Sequence, residues 1–410
     1  MTAEHFGPGA YRGSALPTLA PPSRDGKGLF DIALKWGYYA NLDSATEVER
    51  QLVGEDHLAY ETQAREKRKQ QIYCDSERWN FENSGKLLHF LLLLKLMSFF
   101  LFFLPWTLKL ADIFNSDFVV TTLGLAIMII SLITYGSSRP WLTYILGAAL
   151  GIVTTGTIAW DQGSLWGYWS EQTAFWFGAA LLFIAVIGAD LLVGLYSLFY
   201  THDGSGFNRR DGMVRIGRRF RSPFVAPFYE FDPVMQLQVT PHGGHDYVLW
   251  LHHRYTDTKV CLGMKMHSLG LDKADLYAFW DTLQRYMDVE QPLPDLPVLE
   301  QSRHLDPVTA AHDAATGRPE RYWRDRTIDG WKRNSASKKL REKLATYPWQ
   351  QQPCTLHARI DPTLSIEGYY RSQKALGIHA TPQSDDFDHL HRRGTSAVVQ
   401  ADKTPAQTKP

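Results

Sequence analysis

Between residues 87 and 200 the chain is almost without charge. It carries 3 basic and 5 acidic side chains there, against 11 and 13 in residues 1–86 and 29 and 25 in residues 201–410. Four apolar runs fill the gap: Leu87–Leu108, Phe118–Tyr135, Leu142–Ile158 and Ala174–Tyr200. Each approaches the ~20 residues needed to cross a hydrocarbon core. A buried helix of an ordinary domain accounts for one such run, but four in succession predict a membrane protein with a four-helix transmembrane bundle. Arg65, Lys67, Arg68 and Lys69 precede the first run, and Arg209, Arg210, Arg215, Arg218, Arg219 and Arg221 follow the last. Residues 161–173 have neither Lys nor Arg, so the positive-inside rule places both termini in the cytoplasm.

Two charges fall inside the runs, Lys95 and Asp190. Counted from cytoplasmic ends at 1.5 Å per residue, they lie at similar depth, roughly 12 and 15 Å. An unpaired charge there is costly, so they are expected to pair as a structural lock. Gly147 and Gly151 form a GxxxG that permits close packing, and no inverted repeat of the transporter kind is visible.

Outside this segment the pattern changes. Residues 1–28, rich in Gly, Pro and Ser and lacking an apolar signal core, read as a disordered lead-in. Residues 29–86 read as a cytoplasmic helical head, with Ser44 and Glu47 at capping-box spacing ahead of a long, charge-dense helix. Residues 201–297 predict an α+β module. Within it "FNRRDGMVRI" has the Asp-Gly signal of a hairpin, and Met235, Leu237 and Val239 alternate with glutamines. "KVCLGMKM" alternates likewise, and Asp272 caps a helix carrying Leu276, Phe279, Trp280, Leu283 and Met287. An antiparallel sheet closed by a helix follows. Residues 298–350 read as a helical, basic and aromatic extension, and 351–410 as a mostly irregular or disordered tail.

The densest candidate for chemistry is "HGGHDYVLWLHH", with histidines at 242, 245, 252 and 253. Strand neighbours point to opposite faces, so His252 and His253 cannot share an ion. His242 and His245 lie some 20 Å away at about 3.3 Å per residue. A chelate by the turn pair His242 and His245 alone is the one metal reading left open; otherwise no metal and no cofactor is expected. Cys74, Cys261 and Cys354 are scattered and read as reduced thiols. The sequence has no phosphate-binding loop, dinucleotide fingerprint, HExxH or nucleophile elbow. A non-catalytic protein is therefore expected.

Two surfaces remain as candidates. The cluster Arg209, Arg210, Arg215, Arg218, Arg219 and Arg221 suits anionic lipid headgroups better than nucleic acid. Residues 318–349 mix basic side chains with Tyr322, Trp323, Arg324 and Trp331, a composition found at protein interfaces, at nucleic-acid sites, and on helices that snorkel over their own sheet. Taken with "FNRRDG", "FYEFDP" and "YAFWDTLQRYM", the layout of residues 85–335 resembles uncharacterised bacterial inner-membrane proteins encoded beside type VI secretion effectors. Some of those are regarded as immunity proteins. The resemblance implies a multi-pass inner-membrane immunity protein that binds and neutralises a cognate, cytosol-acting toxin such as a nuclease. The alternative is an accessory or adaptor protein that recruits an effector. No residue roles carry over from that group.

Overall fold

The computed structural model describes residues 6–23, 31–53, 74–81, 93, 177, 181, 184, 188, 191–195, 202–218, 221–239, 245–266, 270–380, 382 and 386–387. The chain forms two units, residues 1–83 together with 201–410, and residues 84–200. In the first unit, β1 (Asp31–Ala33), α1 (Ala45–Val53) and β2 (Arg78–Asn80) precede the second unit. After it come β3 (Gly206–Asn208), β4 (Met213–Arg218), β5 (Arg221–Pro227), β6 (Phe231–Val239), β7 (His245–His253) and β8 (Lys259–Cys261). These make two four-stranded antiparallel sheets, ordered β1-β6-β7-β8 and β2-β3-β4-β5. Strand β5 passes through the 3-10 turn Phe228–Glu230 directly into β6 and so links them.

Asp211 and Gly212 make the expected hairpin, pairing Phe207 with Val214 and Asn208 with Met213. Asp211 Oδ1 accepts from the Met213 N–H at 3.0 Å and closes the turn. Gly212 has φ of 73°, and a Cβ there would lie 2.1 Å from the carbonyl oxygen of Gly9. Glycine is required twice over, by the left-handed backbone and by the chain packed across it. Gly212→Ala should therefore lose about 1–2 kcal/mol from the backbone alone. Displacement of residues 9–11 should add to that, and the total is read as a fall in thermal midpoint by near-UV circular dichroism.

The lead-in and head differ from their expected form. Tyr11, Leu16, Leu19 and Ala20 are buried in the same core as the sheets, and Leu19 bridges to Ile360. The head adds β1 to one sheet and β2 to the other, beside β3, across more than a hundred residues of sequence. Gly- and Pro-rich composition gave no sign of this because the anchors are single large side chains between the breakers. Ser44 does cap α1, accepting from the Glu47 N–H at 3.2 Å, while residues 54–73 of the expected long helix lie outside the described residues.

Asp272 caps the central helix α3 (Lys273–Met287) by accepting from the Asp275 N–H. The helix is buried on every side from Asp275 to Met287. Its apolar face meets Trp36, 4.9 Å from Trp280, and Trp79, 5.1 Å from Tyr286. Its polar face, which the amphipathic pattern assigns to water, is covered by the head. Asp275 accepts from Ser44 Oγ at 2.9 Å and Thr46 Oγ1 at 2.6 Å, and Asp281 from the Ala40 N–H at 2.7 Å. Arg285 bridges Asp281 and Asp43. Buried charges persist only when paired in this way.

Three further expectations are corrected. The expected strand at 259–266 stops at Cys261, where α2 (Leu262–Lys265) begins. Beyond α4 (Pro307–Thr316), α5 (Ile328–Arg333) and α6 (Ser335–Thr346), the expected loose tail contains α7 (Ile366–Ala375), with Tyr369 fully buried. Finally, among the described residues no helix is long and apolar enough to cross a membrane. The expected four-helix transmembrane bundle and its inner-membrane placement give way to an α+β fold with two antiparallel sheets. Low charge marks what a run avoids, whereas a span also requires one unbroken helix of sufficient length. The apolar runs lie outside the described residues except for helical positions such as Leu93, Phe177, Leu181, Ile184 and Leu191–Leu195, whose described large apolar side chains are mostly exposed. Lys95 and Asp190 also lie outside the described residues.

Candidate partner-binding surface

After α3 the chain runs in short turns into α4. Asp306 caps α4 by accepting from the Thr309 N–H, and Gly317 ends it in the left-handed conformation at φ 64°. The reversal brings residues 318–326 back onto Glu300, a buried carboxylate. Its Oε1 accepts from the Trp323 N–H at 2.6 Å, and its Oε2 from the Arg324 N–H at 2.8 Å. Asp295 accepts from Trp323 Nε1 at 2.9 Å and Arg318 Nη2 at 2.7 Å. Two acids thus fix a turn that has no regular secondary structure of its own.

This fixes the four candidate interface residues. Trp323 and Trp331 are only 3% and 6% exposed, with ring centroids 5.3 Å apart. They are core residues, and the expectation that they anchor a partner is corrected: the indole of Trp323 has an internal acceptor in Asp295 and so turns inward. Tyr322 and Arg324 are half-buried. Two guanidinium groups lie over the Tyr322 ring, Arg326 3.7 Å and Arg318 5.2 Å from its centroid.

Beside this stack lies a cleft of about 520 Å³, lined by Glu300, Arg303, Asp313, Arg318, Arg321 and Arg324 among others. Arg303 grips Asp313 through two parallel bonds of 2.7 Å and caps the Leu293 and Pro294 carbonyls with its Nη1. Burial pushes the Asp313 carboxyl up, but the Arg303 fork outweighs it and holds it below the ordinary range. A depressed carboxylate stabilises the fold above its unfolded value of about 3.9 and loses that contribution only as pH falls through the folded value. The wall of the cleft should then hold across neutral pH.

The arginine cluster after residue 200 does not form one surface. Arg209 is fully buried, Arg218 pairs with Asp386 at 2.7 Å and lies over Phe224, and Arg219 is outside the described residues. Arg210, Arg215 and Arg221 are exposed. A continuous lipid-facing patch built from all six is corrected accordingly.

The histidine-rich strand resolves into structure. His252 and His253 fall on opposite faces of β7, opposite Asp232 and Phe231 of β6. His253 is fully buried, with its Nε2 2.9 Å from Glu230 Oε2 and its Nδ1 2.9 Å from Thr256 Oγ1. His242 and the side chain of His245 lie outside the described residues. Among the described residues no three His, Cys, Asp or Glu side chains are grouped to hold a metal ion, and the three cysteines are free. The sequence reading missed Glu230 as a buried hub. The signal was available: "FYEFDP" sets one acid among aromatic side chains, where a carboxylate must find donors.

Comparison of the chain with protein-family models, with curated proteins and with solved structures finds no match.

Proposed function

We propose that this protein is a non-catalytic binder that neutralises a cognate protein toxin by occluding it, and that the surface at residues 300–326 makes the contact. The observation that carries the reading is the Arg318–Tyr322–Arg326 stack standing beside a cleft rimmed by Arg321 and Arg324. Arginine and tyrosine are enriched where protein interfaces concentrate their energy, because each presents a large, planar, hydrogen-bonding group. Here the supporting turn is fixed in advance by Glu300 and Asp295, so little ordering is left to occur on binding. The resemblance to proteins encoded beside type VI secretion effectors supplies the class of partner.

The test uses the full chain and the product of the neighbouring toxin gene. Purified protein should bind that product, and Arg321→Glu combined with Arg324→Glu should weaken binding by roughly tenfold or more, since both charges at the rim are reversed. Deleting the gene should leave cells sensitive to toxin from their siblings. Loss of effector export without self-intoxication would instead identify an adaptor. Undiminished binding in the double variant would move the interface elsewhere.

A further inference from the structure

A second site, independent of the partner surface, lies on the sheet β2-β3-β4-β5. Its residues alternate between two faces. Trp79, Phe207, Val214, Phe224 and Ala226 point into the core. The opposite face carries Arg78 aligned with Asn208 and Met213, and beside that row Asn80 aligned with Gly206 and Arg215. A hollow of about 350 Å³ lies over this face, lined by Arg78, Asn80, His202, Asn208, Asp211 and Arg215 among others. That volume is at the lower end of small-molecule sites, about 300–1,000 Å³.

The charges in the hollow are unevenly satisfied. Asp211 is committed to the hairpin, accepting from the Met213 N–H at 3.0 Å and from Asn208 Nδ2 at 2.8 Å. His202 is committed as well. Its Nδ1 accepts from the Gly204 N–H at 2.9 Å, which places the ring proton on Nε2, 2.6 Å from the Phe81 carbonyl oxygen. The imidazole is thus a fixed wall of the hollow. Arg78 and Arg215 are exposed, and the charge of Arg78 is felt by the Asp211 carboxylate across the hollow. Gly204 leaves room for Arg215: a Cβ there would lie 3.4 Å from its Nε. Two exposed guanidinium groups therefore border one small hollow; the charge of Arg78 acts on Asp211, whose oxygens are already taken up by the hairpin, and Arg215 faces the hollow from the other side.

We infer that this hollow binds a small phosphate monoester, with Arg78 and Arg215 reaching its phosphate from opposite sides. They rise from strands two apart, roughly 10 Å at about 4.8 Å per strand, so long side chains converge on a group between them. A phosphate offers three terminal oxygens to two forked donors, where a carboxylate offers two. The organic part lies along Asn80 and Met213, which line the remaining wall.

The experiment titrates the full-length protein with adenosine 5′-monophosphate, inorganic phosphate and acetate by calorimetry at fixed, low ionic strength. The nucleotide should bind more tightly than inorganic phosphate, and acetate least. Arg78→Ala and Arg215→Ala should each weaken nucleotide binding by roughly tenfold or more. Arg215→Lys should recover only part, since it keeps the charge but loses the fork. Arg210→Ala, which removes an exposed charge outside the hollow, should leave binding unchanged. All three residues are exposed, so the four variants should keep the parent melting temperature, which is checked first. Absence of nucleotide and phosphate binding, equal binding of acetate, or indifference to both alanine changes would overturn the inference. A preference for inorganic phosphate over the nucleotide would overturn the monoester and leave an anion site too small for one. None of these outcomes depends on the toxin, so this inference and the partner reading fail separately.

Discussion

Glu230→Ala should lower the stability of the folded chain by about 3–5 kcal/mol, the cost of breaking a buried ionic network at one member. Glu230 is fully buried, and its two oxygens accept from Tyr369 at 2.8 Å, Tyr370 at 3.1 Å and His253 at 2.9 Å. Burial, and then the Glu230 charge, pushes both tyrosine hydroxyls far above their ordinary range, so they remain protonated donors through neutral and alkaline pH. The Glu230 carboxylate can only accept, so His253 Nε2 donates to it, while Nδ1 faces the Thr256 hydroxyl at 2.9 Å. Alanine would strand three donors in the interior, each costing about 1–3 kcal/mol before relaxation. Glu230→Gln keeps the shape and one acceptor oxygen and should cost distinctly less. Denaturant titration followed by near-UV circular dichroism measures both. An alanine variant within about 0.5 kcal/mol of the parent, the range of an ordinary surface change, would remove Glu230 from its place as the hub joining α7 to the sheets.

Arg209→Met should cost a similar amount, about 3–5 kcal/mol. The Arg209 side chain is fully buried and pairs with Asp306 at 3.3 Å. It also donates to four carbonyls in the last turn of α3 and just beyond it, those of Arg285 at 3.2 Å, Tyr286, Asp288 at 2.8 Å and Gln291 at 2.9 Å. The last carbonyls of a helix have no intrahelical donor, and a cation there also meets the negative end of the helix dipole. Desolvation pulls the Arg209 pKa down, opposed by Asp306 and Asp288; a guanidinium is so strong a base that it stays charged all the same. Arg209→Lys should recover little, because a compact ammonium cannot reach as many acceptors. Adding Asp306→Asn to Arg209→Met should restore part of the loss, since asparagine still caps α4 and no unpaired carboxylate remains. Strictly additive losses would mean that the pair is not coupled.

Both residues show how far the chain was legible. Local signals held where one stretch decides its own shape. Asp211-Gly212 turned a hairpin, Ser44 and Asp272 capped helices, and the alternation at 235–239 made a strand. Adjacent strand positions put His252 and His253 on opposite faces, which needs only the period of two. Arg209, by contrast, is one of six arginines between residues 209 and 221, and nothing in that spacing distinguishes the one that is fully buried. Trp323 and Trp331 carry the composition of an interface but point inward, because Asp295 and Glu300 are brought to Trp323 by a turn whose sequence has no period to read, and Trp331 packs against its ring.

The sequence by itself determined the hairpin, the caps and the amphipathic central helix, because each depends on residues a few positions apart. Only the tertiary structure decided what covers that helix, that β2 at residue 78 belongs beside β3 at residue 206, and that α7 completes the Glu230 network. These pairings are settled by long-range burial. A carboxylate or guanidinium taken from water must find its donors or acceptors wherever the chain can bring them, and sequence distance does not enter that requirement.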